Sequence, residues 1–557
     1  MPTDGEQSVV RAEQHTGPRP SLESGEEVLA EVERERWVER AEGLKPRLVE
    51  SQIDPVRLVA PVENESAHLR WRMEPLAPAA SLSQRLLRAG DSIVLDFGTH
   101  VVGYLSLSLR WEGQHMDAPT RVKMTFGEVP AEVAEPFDPH RGWLSRAWLQ
   151  DEVINIDVLP ATIRLPRRYA FRYVKLEVIA TSRNFGVRFD GIQATVLTSA
   201  TAEPNPLPSG TADWLRRVDE VSIRTLRNCM QTVFEDGPKR DRRLWIGDLR
   251  LQALASYATL RNDDLVRRCL YLFAGLPRED GLLAACVFEE PSPYRGEVYI
   301  LDYAALYGAT VLEYARATQD RDTARALWPV VRQQMDLLSR SIGPDGVFAA
   351  SGDASAFATA TDALPQAWVF VDWSTALDRT AAMHAIVVYS LRQAIELARV
   401  VGAERDVADY PQRIQAMTAA ARQAFWDSAR GIFTSGPQRQ VSWASQAWMV
   451  LSEIAAPDEA AAALRAVGSW PDAIRAGTPY LYHYVVEAML RSGLRAEALD
   501  LIRSYWGGMV EAGADTFWEV YDPWNALLSP YDNVLINSYC HAWSCTPTYL
   551  VRQYGLA

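Results

Sequence analysis

The spacing of apolar residues changes twice along this chain and divides it into three parts. Residues 1–50 are mostly polar, and only within residues 25–44 do apolar positions recur with helical spacing. Between residues 51 and 203 apolar and polar residues alternate, as in strands that bury one face. Over residues 204–557 the apolar positions recur every three or four residues, which indicates helices. We therefore predict a charged, partly helical N-terminal segment, a β domain and a helical domain.

The middle part predicts an antiparallel β-sandwich that serves as an accessory domain. Its strand-like runs are short, rich in β-branched and aromatic residues, and separated by Gly, Pro and Asp, which favour turns. Runs such as YLSLSL alternate strictly, so each strand has one buried and one hydrated face. The clearest runs cover residues 92–111, 121–129, 154–166, 170–180 and 187–197.

The last part predicts a barrel of twelve helices. It follows the helix-breaking segment AEPNPLPSG at residues 202–210. Twelve helices fit six helical hairpins closed into an (α/α)₆ barrel, and an irregular α-solenoid is the alternative. We favour the barrel because aromatic residues and carboxylates are concentrated between the helical segments. The segments begin near Thr211, Asp248, Asp263, Glu297, Thr323, Thr375, Glu404, Trp443, Asp458, Thr478, Arg495 and Asn533.

Composition and charge narrow the class of ligand. The net charge of −14 argues against binding to nucleic acid or to an anionic membrane. No run is apolar for long enough to predict a transmembrane helix. The 18 Trp, 21 Tyr and 15 Phe residues are enough either to fill a helical core or to line a pocket for a carbohydrate.

The cysteines and the N-terminus indicate a compartment. The five cysteines form an odd set without a Cys-x-x-Cys pair, which argues against a disulfide framework or a zinc site. The first twenty residues lack the basic and then apolar stretch of a secretory signal, and we expect them to be mobile. We therefore predict a cytoplasmic protein that needs no metal or cofactor. A homo-oligomer and a monomer both fit the sequence.

The densest cluster of charge lies in FEDGPKRDRRLWIGD, residues 234–248. Four carboxylates alternate there with four bases, and Gly and Pro shape a loop that is not helical. A surface charge cluster with a helix cap at Asp248 is the alternative interpretation. Trp245 favours a functional site, because solvated loops seldom contain a Trp. The carboxylates belong to Glu235, Asp236, Asp241 and Asp248.

A second cluster places acids among large rings, in GADTFWEVYDPWN at residues 513–525. Burial among rings raises the pKa of a carboxyl group toward the range that suits proton transfer. Rings such as Trp518 can also stack on sugars, although aromatic stripes more often belong to a core. If both clusters lie at one end of the barrel, they supply the two carboxylates of glycoside hydrolysis. The acids of this cluster are Asp515, Glu519 and Asp522.

These residues resemble a known family. DGPKRDRRLWIGD is similar to the signature of the family 78 glycoside hydrolases, the α-L-rhamnosidases, and of their six-hairpin relatives. The resemblance also covers the β region and spans about residues 85–555. Further similar segments are VDWS (371–374), TPYLYHYVVEAMLRSG (478–493), TFWE (516–519) and SYCHAWSCTPTYL (538–550).

The resemblance implies an inverting hydrolase that releases a terminal α-L-rhamnose. One carboxylic acid protonates the leaving oxygen, and an opposite carboxylate deprotonates water. By position, Glu519 matches the general base, and Asp236 and Asp248 match acids that hold sugar hydroxyls. Asp241 falls at the general-acid position, where the family has a glutamate.

A longer version of the family loop gives a different alignment. It places Arg242 at the acid position, and Glu235 and Glu297 are then the alternative acids. A glycosidase with another sugar specificity, or a sugar-binding protein without catalysis, would fit the same segments.

Further substrate contacts are implied or suggested near these acids. Arg240 would favour their ionised forms, and Trp245 would favour protonation by excluding water. His541 resembles a family position that faces the sugar, with a core histidine as the alternative. Trp368 and the pair Asp372 and Trp373 lie in an aromatic loop before a helix, where a helix cap and core Trp residues are as consistent as sugar contact. Trp518 completes the predicted set.

Overall fold

A computed structural model describes residues 25–349, 364 and 366–557 of the chain. Its first element is helix α1 (Gly25–Gly43), which agrees with the helix predicted for residues 25–44. Trp37 and Ala41 of this helix are buried against the helical domain. The mobility predicted for the first twenty residues concerns positions outside the described ones.

The β domain is one antiparallel sheet that bends over on itself into a sandwich. The predicted runs all form strands, and residues 49–78 add three strands that the sequence analysis did not single out. The elements are β1 (Val49–Ile53), β2 (Arg57–Glu63), β3 (Trp71–Pro78), β4 (Ser92–Gly113), β5 (Thr120–Gly127), α2 (Ala131–Ala134), β6 (Asp151–Ile156), β7 (Ala161–Arg164), β8 (Tyr169–Ala180) and β9 (Phe185–Thr198).

The long strand β4 connects the two layers of the sandwich. Its first part pairs with β2 and β8, and its second part pairs with β7 and β9. Leu95 and Leu105 on this strand are fully buried in a core shared with Phe126 and Phe171. The apolar residues that alternate with polar ones in the sequence therefore form one packed face on each layer of the sandwich.

The helical domain is a barrel of six hairpins. Its helices are α3 (Asp213–Cys229), α4 (Ile246–Ala258), α5 (Asp263–Gly275), α6 (Leu301–Thr318), α7 (Arg321–Ser339), α8 (Thr380–Val401), α9 (Tyr410–Phe425), α10 (Trp443–Leu451), α11 (Pro457–Ser469), α12 (Pro479–Arg491), α13 (Arg495–Ile502), α14 (Gly508–Glu511) and α15 (Pro547–Gln553). Helices α4, α6, α8, α10 and α12 contact one another in turn, and α15 returns to α4. The remaining long helices pack outside this inner ring, so the predicted β-sandwich followed by an (α/α)₆ barrel is confirmed.

Short strands lie in the connections between the barrel helices. They are β10 (Leu244–Trp245), β11 (Cys286–Phe288), β12 (Tyr294–Arg295), β13 (Tyr299–Ile300), β14 (Ala367–Trp368), β15 (Trp426–Asp427) and β16 (Ile432–Phe433). All five cysteines are free and buried. None of the described helices is long and apolar enough to cross a membrane.

The prediction of a twelfth helix from Asn533 is wrong, because α15 begins only at Pro547. Residues 522–546 form a long loop with two short 3₁₀ turns. The N–H groups of His541 and Ala542 donate to the carbonyls of Phe517 and Asp236 instead of to a preceding helical turn. The predicted division at residues 203 and 204 falls between the last strand and the first barrel helix, and the exact domain limits stay a prediction.

Buried charges fasten the β domain to the barrel. Lys239 Nζ lies 2.6 Å from Glu132 Oε1 and 3.5 Å from Glu128 Oε2, and all three side chains are at most 1% exposed. Glu128 also lies 2.9 Å from His100 Nε2 and accepts the backbone N–H of Tyr539 at 2.7 Å. Because an unpaired buried charge is costly, these contacts hold the barrel loop that carries Lys239 against the β domain.

Candidate active site

A cleft with a volume of about 420 Å³ opens where the N-terminal ends of several inner helices meet. Its walls come from the starts of α4 and α6, from the loop before α8 and from the loops before α15. The lining residues are Asp236, Arg240, Asp241, Trp245, Asp248, Ile300, Tyr303, Trp368, Phe370, Trp373, Glu519, Tyr531, His541 and Trp543.

The loop of residues 236–243 turns sharply before α4. A Cβ on Gly237 would lie 2.3 Å from Ser538 Oγ, so the loop packs against the last barrel segment at a distance that only glycine permits. Asp241 and Arg242 both have left-handed backbone conformations, with φ of 64° and 53°. Asp241 lines the cleft as a result. Arg242 lies near Arg168 of the β domain, and burial together with Arg168 lowers its pKa to about 10.

Hydrogen bonds between two loop segments bring Glu519 to the cleft. The N–H of Glu519 donates to the carbonyl of Ser538 at 2.9 Å, and the N–H of His541 donates to the carbonyl of Phe517, also at 2.9 Å. The N–H of Ala542 donates to the carbonyl of Asp236 at 2.9 Å. Backbone hydrogen bonds therefore join three separate segments of the chain at the bottom of the cleft.

The Glu519 carboxylate is surrounded by donors. Arg240 Nη2 and the Tyr531 hydroxyl both donate to it, and the N–H of Ser538 donates to its Oε2 at 3.1 Å. Burial opposes the charge, but Arg240, His541 and the hydrogen bonds outweigh burial and lower the pKa of Glu519 to about 2. Glu519 is thus a carboxylate at neutral pH and can accept a proton.

Asp236 and Asp248 have the opposite character in the same cleft. Burial, followed by the charges of Asp241 and Asp248, raises the pKa of Asp236 well above its usual range. Burial also raises the pKa of Asp248, although His541 Nε2, 3.2 Å from Asp248 Oδ1, partly offsets the shift. Buried carboxyls of this kind can donate as well as accept hydrogen bonds, which suits contact with sugar hydroxyls.

Arg240 links the two predicted catalytic residues. Its Nη1 lies 3.2 Å from Asp241 Oδ1, and its Nη2 donates to Glu519. The carboxyl groups of Asp241 and Glu519 therefore contact different nitrogen atoms of one guanidinium group.

An aromatic wall faces these acids. Asp302 accepts the N–H groups of Phe370 at 2.8 Å and Val371 at 3.0 Å, and burial raises the pKa of Asp302 to about 6. These bonds hold Val371 in a left-handed conformation with φ of 52°. The loop is thereby shaped so that Trp368, Phe370 and Trp373 line the cleft. Flat rings beside a few polar groups are typical of a carbohydrate site.

Most predicted site residues meet in this cleft, and two do not. Trp518 is buried on the far side of its segment, where it stacks on His68 of the β domain with ring centroids 4.0 Å apart. Neighbouring residues of an extended segment point to opposite sides, so Glu519 faces the cleft and Trp518 faces the β domain. Those that line the cleft are Asp236, Arg240, Asp241, Trp245, Asp248, Trp368, Trp373, Glu519 and His541.

Asp372 is the second predicted contact that lies outside the cleft. Its carboxylate accepts Thr478 Oγ1 at 2.6 Å and the N–H of Gly477 at 2.8 Å. These bonds hold the start of α12, so Asp372 has a structural position. The alternative acids lie elsewhere too, since Glu235 pairs with Arg168 at 2.5 Å and the Glu297 side chain is 72% exposed beside Arg295.

Sequence reasoning missed five residues of the lining. Tyr531 is the most consequential, because it donates to Glu519 and also accepts from Arg240 Nη2 at 3.1 Å. Its position between Pro530 and Asp532 was the available signal for a loop. The other missed residues carry no chemical signal in an aromatic-rich chain; they are Ile300, Tyr303, Phe370 and Trp543. Within the part of the chain that the structure describes, no group of three or more His, Cys, Asp or Glu side chains is placed to hold a metal ion.

Comparisons with known families agree on both domains. The family model described as the glycosyl hydrolase family 78 alpha-rhamnosidase N-terminal domain matches residues 55–196. The model described as the bacterial alpha-L-rhamnosidase 6 hairpin glycosidase domain matches residues 210–554. A comparison with curated proteins gave no match.

Solved structures show the same fold. A rhamnosidase from Klebsiella oxytoca with rhamnose bound is 45% identical, with 94% of this chain and 99% of that chain covered and a TM-score of 0.89. A family 78 rhamnosidase of Bacillus sp. GL1 is 22% identical, with coverage of 86% and 49% and a TM-score of 0.71. An α-L-rhamnosidase of Streptomyces avermitilis complexed with L-rhamnose is 16% identical, with coverage of 91% and 44% and a TM-score of 0.63. The last two likenesses concern the fold alone.

Proposed function

This chain belongs to glycoside hydrolase family 78, and we propose that it releases terminal α-L-rhamnose from glycosides with inversion at the anomeric carbon. Support for the sugar comes from the Klebsiella oxytoca rhamnosidase, which carries rhamnose and aligns with this chain over almost its whole length.

The observation that carries the proposal is the set of donors around the Glu519 carboxylate, in a cleft that also contains Asp241. Arg240, Tyr531 and the N–H of Ser538 stabilise the Glu519 carboxylate, which makes it the general base. Glu519 takes a proton from water, and the water oxygen bonds to the anomeric carbon. The bond from that carbon to the leaving oxygen breaks, and Asp241 gives its proton to that oxygen.

Asp236, Asp248 and His541 hold the sugar in this scheme. Asp248 and His541 are hydrogen-bonded to each other and both line the cleft, so a sugar hydroxyl can bond to the pair. Asp241 is one methylene shorter than glutamate, and its left-handed backbone turns the side chain into the cleft.

The test is to follow hydrolysis of methyl α-L-rhamnoside by proton NMR. We expect β-L-rhamnose to form first and the α anomer to appear only by mutarotation. Initial release of α-L-rhamnose would contradict inversion. The same assay on aryl glycosides of glucose and glucuronic acid is the control for sugar identity, and preferential cleavage of either would contradict the proposed substrate.

A further inference from the structure

A short segment of the barrel, residues 535–539, lies between the β domain and the proposed base. Every second residue of this segment bonds toward the β domain. The carbonyls of Leu535 and Asn537 accept hydrogen bonds from Lys239 Nζ, which is itself paired with carboxylates of the β domain. The N–H of Tyr539 donates to another of these carboxylates at 2.7 Å. The backbone of the segment is therefore anchored to the β domain at three residues.

The residues between these anchors bond to the catalytic side. The carbonyl of Ile536 accepts from Arg240 Nε at 3.1 Å. The N–H of Ser538 donates to Glu519 Oε2 at 3.1 Å, and the carbonyl of Ser538 accepts the N–H of Glu519 at 2.9 Å. Arg240 Nη2 also donates to the Glu519 carboxylate. The segment thus orients two donors to the proposed base, the guanidinium of Arg240 and the N–H of Ser538.

The anchor on the β domain is a buried ionic cluster of Glu128, Glu132 and Lys239, whose side chains are at most 1% exposed. Glu132 Oε2 accepts two backbone N–H groups of its own turn, at 2.7 and 3.0 Å. Asn228 Nδ2 donates to His100 Nδ1 at 2.8 Å, so His100 donates to Glu128 through Nε2 at 2.9 Å. Displacing one charge would leave another unpaired, so the cluster has a fixed geometry.

We propose that the ionic cluster of Glu128, Glu132 and Lys239 positions the general base. The three side chains lie outside the cleft lining and act on Glu519 only through residues 535–539. Small displacements of a reacting group lower the rate strongly, so a rigid anchor for its donors contributes to catalysis. This inference rests on the proposed function and extends it, because the accessory β domain then takes part in catalysis without touching the sugar.

A positioning role and a charge effect predict opposite changes in the pH profile. Glu132→Gln removes a negative charge, and by charge alone this change would lower the pKa of Glu519. Loss of positioning instead weakens the bonds from Arg240 and from the N–H of Ser538, which raises the pKa of Glu519. The direction in which the acidic limb of the profile moves therefore distinguishes the two effects.

The experiment measures kcat and KM on methyl α-L-rhamnoside as a function of pH, and the melting temperature of each protein. The variants are Glu132→Gln, the conservative Glu132→Asp, and the double variant Lys239→Met/Glu132→Gln. The double variant removes both members of a buried pair, so neither is left charged without the other. Asp219→Asn is the matched control, because Asp219 is a buried carboxyl group that pairs with Arg552 at 3.0 Å and does not line the cleft.

We expect kcat to fall about 10- to 100-fold in Glu132→Gln and in the double variant, and less in Glu132→Asp. KM should change less than about 2-fold, because the residues that hold the sugar are intact. The acidic limb of kcat/KM should move to higher pH by about one unit. Asp219→Asn should lower the melting temperature and leave the limb in place. The charged and titratable groups around Glu519 are the same in every variant; they are Arg240, Asp241, Asp248, Tyr531, Tyr539 and His541.

An acidic limb that stays in place or moves to lower pH would overturn the positioning role, whatever the loss of stability. If the two neutral variants do not fold, the limb of Glu132→Asp decides. If the wild-type protein cleaves no α-L-rhamnoside, the proposed function itself fails and the positioning role fails with it. Wild-type cleavage with an unmoved limb in the variants overturns the positioning role alone, so the two failures are distinct.

Discussion

Two buried carboxyl groups in one cleft have pKa values that are shifted in opposite directions. Glu519 and Asp248 are each 2% exposed, yet the pKa of Glu519 is lowered to about 2 while that of Asp248 is raised. The Glu519 carboxylate accepts hydrogen bonds from the Arg240 guanidinium, the Tyr531 hydroxyl and the backbone N–H of Ser538. Asp248 is hydrogen-bonded to one histidine, His541, and lies near another carboxylate. Burial is common to both, so the partners decide whether the pKa of each carboxyl group falls or rises.

The strongest test of this comparison removes the charge of Glu519. Glu519→Gln should lower kcat by about 10⁴-fold, the upper range for loss of a general base, because the amide cannot accept the proton of water. Steady-state kinetics on methyl α-L-rhamnoside measures the effect. Glu313→Gln is the matched control, since Glu313 is paired with Arg250 at 2.6 Å outside the cleft. A similar loss in both variants, or retained activity in Glu519→Gln, would remove the base assignment.

The proposed acid should show a dependence on the leaving group. Asp241→Asn should lower kcat by about 10²- to 10³-fold on methyl α-L-rhamnoside, where the leaving oxygen needs a proton. The loss on 4-nitrophenyl α-L-rhamnoside should be much smaller, because nitrophenolate leaves without one. Asp241→Glu, which restores the family residue, should retain activity. An equal loss on both substrates in Asp241→Asn would argue against the acid role.

Replacing Asp248 should lower activity less than replacing Glu519, and the size of the loss should depend on pH. Asp248→Asn is expected to lower kcat/KM by about 10- to 100-fold at pH values above the raised pKa of Asp248, the effect of a lost charged hydrogen bond to the sugar. Because the pKa of Asp248 is raised, lowering the pH protonates the wild-type residue and makes it resemble the neutral asparagine. The gap between the two proteins should therefore narrow as the pH falls. A gap that widens toward acid would contradict the raised pKa.

The smallest effect is expected from Tyr531, a positioning residue. Tyr531→Phe removes a donor to Glu519, so the pKa of Glu519 should rise by about 1 to 2 units. Activity is present above the pKa of Glu519 and is lost as the pH falls through it, so the acidic limb of kcat/KM should move to higher pH. Tyr307→Phe, whose buried hydroxyl donates to Leu270 at 2.9 Å, is the control and should leave that limb in place.

The sequence predicted the architecture because local pattern and packing agree. The alternation in residues 92–111 became β4, and the helical spacing after residue 204 became the barrel. The predicted helix at Asn533 failed because backbone groups of Ser538, His541 and Ala542 bond to residues of other segments instead of to the neighbouring helical turn. Hydrogen bonds from Lys239 and Arg240 to backbone carbonyls of residues 535–537, rather than local propensity, shape that loop.

The sequence by itself determined the fold, the family and the two carboxylate clusters, since apolar periodicity and short-range motifs are properties of neighbouring residues. Only the tertiary structure decided which side chains share the cleft. It turned Trp518 to the β domain, used Asp372 to hold a helix, and brought Tyr531 to Glu519. The pKa of Glu519 depends on Arg240, which is 279 residues away in sequence and reaches the carboxylate only once the barrel is folded.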